Sequence, residues 1–135
     1  KKNRGGKSYR VLTHNGCKDT GQTPFVLAEE LECMGAGEIV INSIDMDGTM
    51  KGYDMGLAKA LRDAVHVPLT VLGGAGSLQD IGRLISRFGT IGASAGSLFV
   101  FKGIYRAVLI NYPNRAEKSD LIEKYYFKSD IAAQA

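Results

Sequence analysis

The sequence predicts an α/β fold, with parallel strands and helices packed outside them. Three observations carry the prediction. Short apolar runs recur at Glu38-Ile39-Val40-Ile41-Asn42, Leu69-Thr70-Val71-Leu72 and Ile91-Gly92-Ala93. Each follows a stretch of helical periodicity, so the middle of the chain reads α-β-α-β-α-β. Each is left by a turn rich in small or acidic residues: Ser43-Ile44-Asp45-Met46-Asp47-Gly48-Thr49, Gly73-Gly74-Ala75-Gly76 and Ser94-Ala95-Gly96-Ser97. Strands that are apolar throughout belong to parallel sheets covered on both faces. The turns leaving such strands are where α/β proteins place ligand-binding groups.

The elements follow in order. Tyr9 to Thr13 is a strand candidate that turns at Asn15-Gly16. Thr23 caps a helix and Pro24 suits its first turn; Leu27, Leu31 and Met34 share one face, and Gly35 ends it. After the strand at 38–43, Asp54 caps a second helix with Leu57, Leu61 and Ala64 on one face, closed off by Pro68. Ser77 caps a third, with Asp80 as a weak capping-box partner. Its buried face is Ile81, Leu84, Ile85 and Phe88, and Gly89 terminates it before a strand at 91–95. The segment 105–112 reads as strand by its β-branched and aromatic content, or as helix by the spacing of Val108 and Tyr112; Pro113 ends it either way. A last helix opens at Ser119-Asp120 and runs to about Phe127, with Leu121, Tyr125 and Tyr126 as apolar contacts.

Bulk properties narrow the function classes. The 135 residues, 44% hydrophobic and 23% charged, suit one globular domain. A net charge of +3 is too small to argue for nucleic acid. Lys1-Lys2-Asn3-Arg4 and Lys7 read as a solvated loop. No apolar run reaches the roughly 18 residues needed to span a bilayer, and none reads as a secretory signal. The chain opens without Met in a stretch that resembles an internal loop. Cys17 and Cys33 read as free thiols of a cytoplasmic enzyme, with a disulfide between them the less favoured alternative. His14 and His66 stand at unrelated positions and complete no zinc site; both read as surface residues. Tyr9, Tyr105, Tyr112, Tyr125 and Tyr126 read as core or interface aromatics.

Three strand ends in succession supply small residues and backbone amides, which is how a phosphate site is built without a P-loop lysine. Gly48 lets backbone approach a phosphoryl oxygen; the alternative is an Asx-turn at Asp47 that only shapes the loop. Asp45 reads as a supporting or purely structural carboxylate. An Asp-x-Asp pair could also hold a divalent metal. Gly73, Gly74 and Ala75 form a second wall, or a tight turn that needs positive φ. Gly74-Ala75-Gly76 lacks the third glycine of a dinucleotide fingerprint, where Gln79 stands. Ser97 offers a hydroxyl donor, or is a plain N-cap. No Ser-His-Asp set is present.

Gly35-Ala36-Gly37-Glu38, Ser43 to Thr49, Gly52-Tyr53-Asp54, Gly73 to Gly76 and Ala95-Gly96-Ser97, in this order, resemble the cyclase subunit of imidazole glycerol phosphate synthase. The resemblance covers about residues 8–101. It implies a (β/α)8 barrel of histidine biosynthesis that takes ammonia from a glutaminase subunit and cleaves a phosphorylated ribonucleotide. That barrel needs about 250 residues, so residues 1–135 would be one partial barrel domain, its C-terminal half. On this alignment 1–22 is the loop and hairpin after strand five, 23–101 the last three βα units, and 102–135 a C-terminal extension. The family's two acid/base aspartates, at strands one and five, would fall before Lys1. No catalytic residue is then placed within the chain; Asp45 and Asp47 support, and Asp47, Gly48, Thr49, Gly73, Gly74, Gly96 and Ser97 hold phosphate. Glu38 matches the charged mouth of an ammonia passage; read alone, it is a solvated strand-start charge. No cofactor or metal is implied. The stretch from Phe99 to Asn114 departs from the pattern and resembles a paralogous branch whose partner amidates nucleotide-linked sugars. A second kind of function is a non-catalytic half barrel that binds phosphate and self-associates through open sheet edges.

Overall fold

Hydrogen-bonding side chains at the element ends explain most of where the chain folds. The computed structural model describes residues 1–2, 8–103 and 105–127. A small hairpin pairs β1 (Leu12–Thr13) antiparallel with β2 (Lys18–Asp19). Its turn carries positive φ at His14, Asn15 and Gly16, the left-handed backbone that Asn and Gly accept readily. The strand expected over 9–13 is thus shorter; Tyr9 makes only an isolated bridge to Lys2. Lys1 and Lys2 are exposed, but Lys2 is not simply solvated: its Nζ lies 3.4 Å from Asp54. Asn3, Arg4 and Lys7 lie outside the described residues.

Helix α1 (Pro24–Cys33) begins where the Thr23 side chain accepts the Val26 amide. It buries Pro24 and Ala28, whereas Leu31 and Met34 are exposed, Met34 by 82%. Of the face expected from Leu27, Leu31 and Met34, Leu31 and Met34 are turned outward and Leu27 is half-buried. Ala28 joins the cluster of Leu57 and Leu61 with Phe25 packed against it, and its small side chain lets α1 approach α2 closely. Strand β3 (Ile39–Asn42) follows. Asp54 caps α2 (Met55–Ala64) by accepting the Leu57 amide, and α2 buries Leu57, Ala58 and Leu61. Strand β4 (Leu69–Leu72) precedes α3 (Leu78–Phe88), capped by Ser77. The Asp80 carboxylate reaches back to the Gly76 amide and the Ser77 hydroxyl, and Gly89 ends the helix with φ 67°.

Strands β3, β4 and β5 (Gly92–Ala93) form one parallel sheet in that order. The last is shorter than the 91–95 expected. At Gly92 a Cβ would stand 1.8 Å from Thr70 Oγ1, so only glycine fits there. Val40 on β3 is 59% exposed, so this strand is not covered on both faces as its sequence suggests. Two apolar clusters back the sheet, one around Ile39, Leu57, Leu61 and Leu69, the other around Tyr53, Val71, Ile81 and Leu84. Burying each such leucine stabilises by about 1.5–3 kcal/mol.

After the short helix α4 (Ser97–Val100), β6 (Phe101–Lys102) pairs antiparallel with β7 (Ala107–Val108). Leu109 and Asn111 amides continue that pairing onto Val100 and Phe99, so the ambiguous 105–112 segment is extended after a turn at Tyr105-Arg106, where Arg106 holds φ 49°. Tyr105 and Tyr112 are 90% and 63% exposed, so neither is a core aromatic, because a ribbon of two-residue strands offers little to bury them beyond the Phe99 ring 4.9 Å from that of Tyr112. The last helix, α5 (Arg115–Ile122), starts four residues before the expected Ser119. Asn114 and Glu117 form a full capping box there, and a π-helical turn (Glu123–Phe127) follows. Tyr125 of that turn packs on Gly82 of α3, where a Cβ would meet its ring at 2.4 Å.

Candidate functional site: three strand-end turns in register

The sheet register sets the three turns at one height. Asn42 pairs with Leu72 and Val71 with Ala93. Continuing both ladders brings Ser43, Gly73 and Ala95 level, at the carboxyl ends of all three strands. Ser43 is buried, and its carbonyl accepts the Met46 and Asp47 amides, which rolls the first turn up tightly. Thr49 Oγ1 donates to the Met46 carbonyl at 2.7 Å, so this hydroxyl braces the turn. Gly48 holds φ 73° with open space around a built Cβ. That glycine serves conformation and access rather than packing.

The two carboxylates part company. Asp47 is exposed and accepts from Asn42 Nδ2 at 3.2 Å, on the rim of a cavity of about 520 Å³ lined also by Tyr9, Arg10 and Ile44. Asp45 is also exposed, not buried inside the turn, and accepts the Lys2 amide at 2.6 Å. Nearby, Tyr9 Oη donates to both oxygens of Asp54 at 3.0 and 3.1 Å. Its hydroxyl and then the Asp54 carboxylate hold the Lys2 ammonium above its ordinary pKa.

Gly73 and Gly74 are buried with φ 96° and 105°. A Cβ on Gly74 would stand 2.1 Å from the Gly52 carbonyl oxygen and 3.0 Å from Met46 Cβ. The second turn is therefore pressed against the first. Gly96 is exposed with nothing near a built Cβ, and it, not Ser97, is the N-cap of α4. The Ser97 hydroxyl makes no hydrogen bond among the described residues. Glu38 stands at the other end of β3, exposed, accepting from Thr70 Oγ1 at 2.6 Å. The fold thus groups 45–49, 73–74 and 96–97 at one end of the sheet and leaves Glu38 apart.

Tyr53 was not singled out by the sequence on its own chemistry. It is buried, and its hydroxyl donates to the Ser94 carbonyl at 2.9 Å. Burial, aided by the Asp80 carboxylate, pushes its pKa up to about 12. The chemical signal was an aromatic between two turn residues, Gly52 and Asp54. Cys17 and Cys33 are free thiols and exposed; His14 and His66 are exposed too, His14 beside Thr13 Oγ1 at 3.1 Å and His66 beside Glu32 at 3.6 Å.

Residues 1–105 match the profile of the histidine biosynthesis protein family. The chain belongs to that family. Its fold is the (β/α)8 barrel, of which the three parallel strands and their outer helices are a fragment. A protein of Leptospira interrogans, provisionally named imidazole glycerol phosphate synthase subunit HisF, is 56% identical over 115 residues. That match covers 85% of this chain and 45% of the relative. A second, in Leptospira borgpetersenii, bears the same provisional name and is 52% identical over the same shares. The imidazole glycerol phosphate synthase subunit HisF of Hyphomonas neptunium is 42% identical over 96 residues, covering 71% of this chain and 38% of the relative. The chain spans less than half the length of these curated relatives. No helix among the described residues is long and apolar enough to cross a membrane.

Proposed function

We propose that this chain is the phosphate-binding half of a cyclase barrel that works with an ammonia-supplying glutaminase subunit. One observation carries the proposal: three parallel strands end level, each in a turn of small residues with amides to offer. Gly48, Gly73, Gly74, Gly96 and Ser97 hold a phosphate of the substrate. Asp47 orients a ligand hydroxyl, while Asp45 and Thr49 brace the first turn. Glu38, at the far end of its strand, lines the ammonia entrance. The substrate class is a phosphorylated ribonucleotide, in line with the names of the relatives.

Titration calorimetry with inorganic phosphate tests the site. Ser97→Ala is expected to weaken binding several-fold, since a lost hydrogen bond is worth about 1–2 kcal/mol. Unchanged affinity, or an anion bound elsewhere, refutes it. No residue of this chain leads the chemistry on this reading, so the purified 135-residue chain is expected to show no turnover with free ammonium. Turnover near that of a full-length relative would show the catalytic groups to be misplaced.

A second reading keeps the barrel and changes the acceptor: ammonia passes to a separate enzyme that amidates a nucleotide-linked sugar. The stretch from Phe99 to Asn114 motivates it, because its sequence resembles that branch more than the cyclase. Ammonia transfer without loss of the ribonucleotide would select it. A non-catalytic half barrel that pairs through the open β3 edge, beside the uncovered face that exposes Val40, is distinguished by sedimentation at micromolar concentration.

A further inference from the structure

Between β3 and α2 the chain reads Met50-Lys51-Gly52-Tyr53, and this stretch touches both of the other turns. The Gly52 amide donates to the Gly74 carbonyl at 2.8 Å. The Tyr53 hydroxyl donates to the Ser94 carbonyl at 2.9 Å. Those two carbonyls belong to the second and third turns. The Tyr53 ring is buried with Ala58, Val71 and Ile81, so its hydroxyl approaches from the layer between sheet and helices.

A trans peptide carries its N–H opposite its C=O, and no cis bond occurs among the described residues. With the Gly74 carbonyl turned to the Gly52 amide and the Ser94 carbonyl to the Tyr53 hydroxyl, the amides of Ala75 and Ala95 point away from those donors. Neither amide has a partner among the described residues. The packing leaves little freedom: a Cβ on Gly76 would stand 2.2 Å from the Met50 carbonyl oxygen, and one on Gly74 2.1 Å from that of Gly52.

We propose that Gly52-Tyr53 is a two-pronged clasp that aims the second and third turns at one bound anion, and that Tyr53 is its positioning residue. The anion is the one of the phosphate reading above, on which this part rests. The aiming itself is a property of the free chain and is measured without a ligand.

Tyr53→Phe removes the hydroxyl and keeps the ring. In the free protein, amide hydrogen exchange at Ser94, whose N–H donates to the Val71 carbonyl at 2.9 Å, is expected to quicken about fivefold, the equivalent of one hydrogen bond. Inorganic phosphate is expected to bind about fivefold more weakly by calorimetry. Leu61→Val serves as the control, because it loosens the other apolar cluster and should lower the melting temperature without moving phosphate affinity. Gly52→Ala strains the second prong, at φ 98°, and should weaken phosphate in the same way if Tyr53→Phe does not fold. Unchanged exchange in Tyr53→Phe overturns the clasp. So does unchanged phosphate affinity where Ser97→Ala lowers it, and this outcome leaves the phosphate reading standing. Faster exchange in a chain that never binds phosphate would support the clasp while refuting that reading.

Discussion

Gly74→Ala is expected to destabilise this fold far more than the same change at Gly96. Gly74 holds φ 105°, outside the regions open to other residues, which costs at least about 1–2 kcal/mol. The new Cβ would also stand 2.1 Å from the Gly52 carbonyl oxygen, 3.0 Å from Gly52 C and 3.0 Å from Met46 Cβ. A backbone carbonyl cannot swing aside as a side chain can. Relief requires the two turns to separate, at about 1–3 kcal/mol of overpacking strain. Separation also loses the hydrogen bond from the Gly52 amide, about 1 kcal/mol more. The expected loss is about 3–6 kcal/mol, a large share of the roughly 5–15 kcal/mol that holds a domain together. Gly96, at φ −103° with open space around it, should tolerate alanine within about 0.5 kcal/mol. Urea unfolding of both variants decides the matter. A Gly74→Ala midpoint close to that of the parent, or an equal loss at Gly96, would show that the turns are not pressed together as described.

Two pH dependences follow from the same geometry. The Val67 and then the His66 amide donate to the Glu32 carboxylate and hold its pKa below the ordinary range. Its contribution is therefore full above the unfolded value and fades as pH falls through the lower folded one. Glu32→Gln should flatten the acid limb of the stability profile, and an unaltered limb would remove this tie between α1 and the start of β4. Tyr53 has the opposite sign. Its folded pKa of about 12 lies above the unfolded value of 10.0, so stability should fall between these pH values by up to about 3 kcal/mol. Tyr53→Phe should remove that part of the alkaline slope, as followed by thermal melting.

The sequence reveals most where structure is local. Thr23, Asp54 and Ser77 are short polar residues before apolar periodicity, and each caps the helix it announces. The three parallel strands are legible because a run of apolar β-formers between such helices has few other solutions. The true start of α5 was also written locally, as Asn114 with Glu117 three residues on, but Ser119-Asp120 offered a competing cap. Other features depend on partners distant in sequence. The orientation of α1 is decided by Ala28 against α2, not by its larger Leu31. Tyr53 is buried because three turns converge on it, and no periodicity marks a loop residue for burial. Among the site residues, grouping by strand end was legible. That Gly74 is a packing glycine and Gly96 an open one required knowing which backbone passes each of them.

Level strand ends carry a consequence for where this chain tolerates lengthening. The ladders of β3 and β4 are four residues long, and their last pair stands directly beneath the turns. One residue inserted into β4 would raise its turn by about 3.3 Å and send its side chains to the opposite face. Leu69 and Val71, both nearly fully buried, would then exchange sides with Thr70 and Leu72. The β6–β7 hairpin has no such coupling, since its turn residues at 103 and 105–106 are exposed and lie beyond the parallel sheet. Length added there leaves the three turns at their common height, so drift in size is free at that ribbon and forbidden within β4.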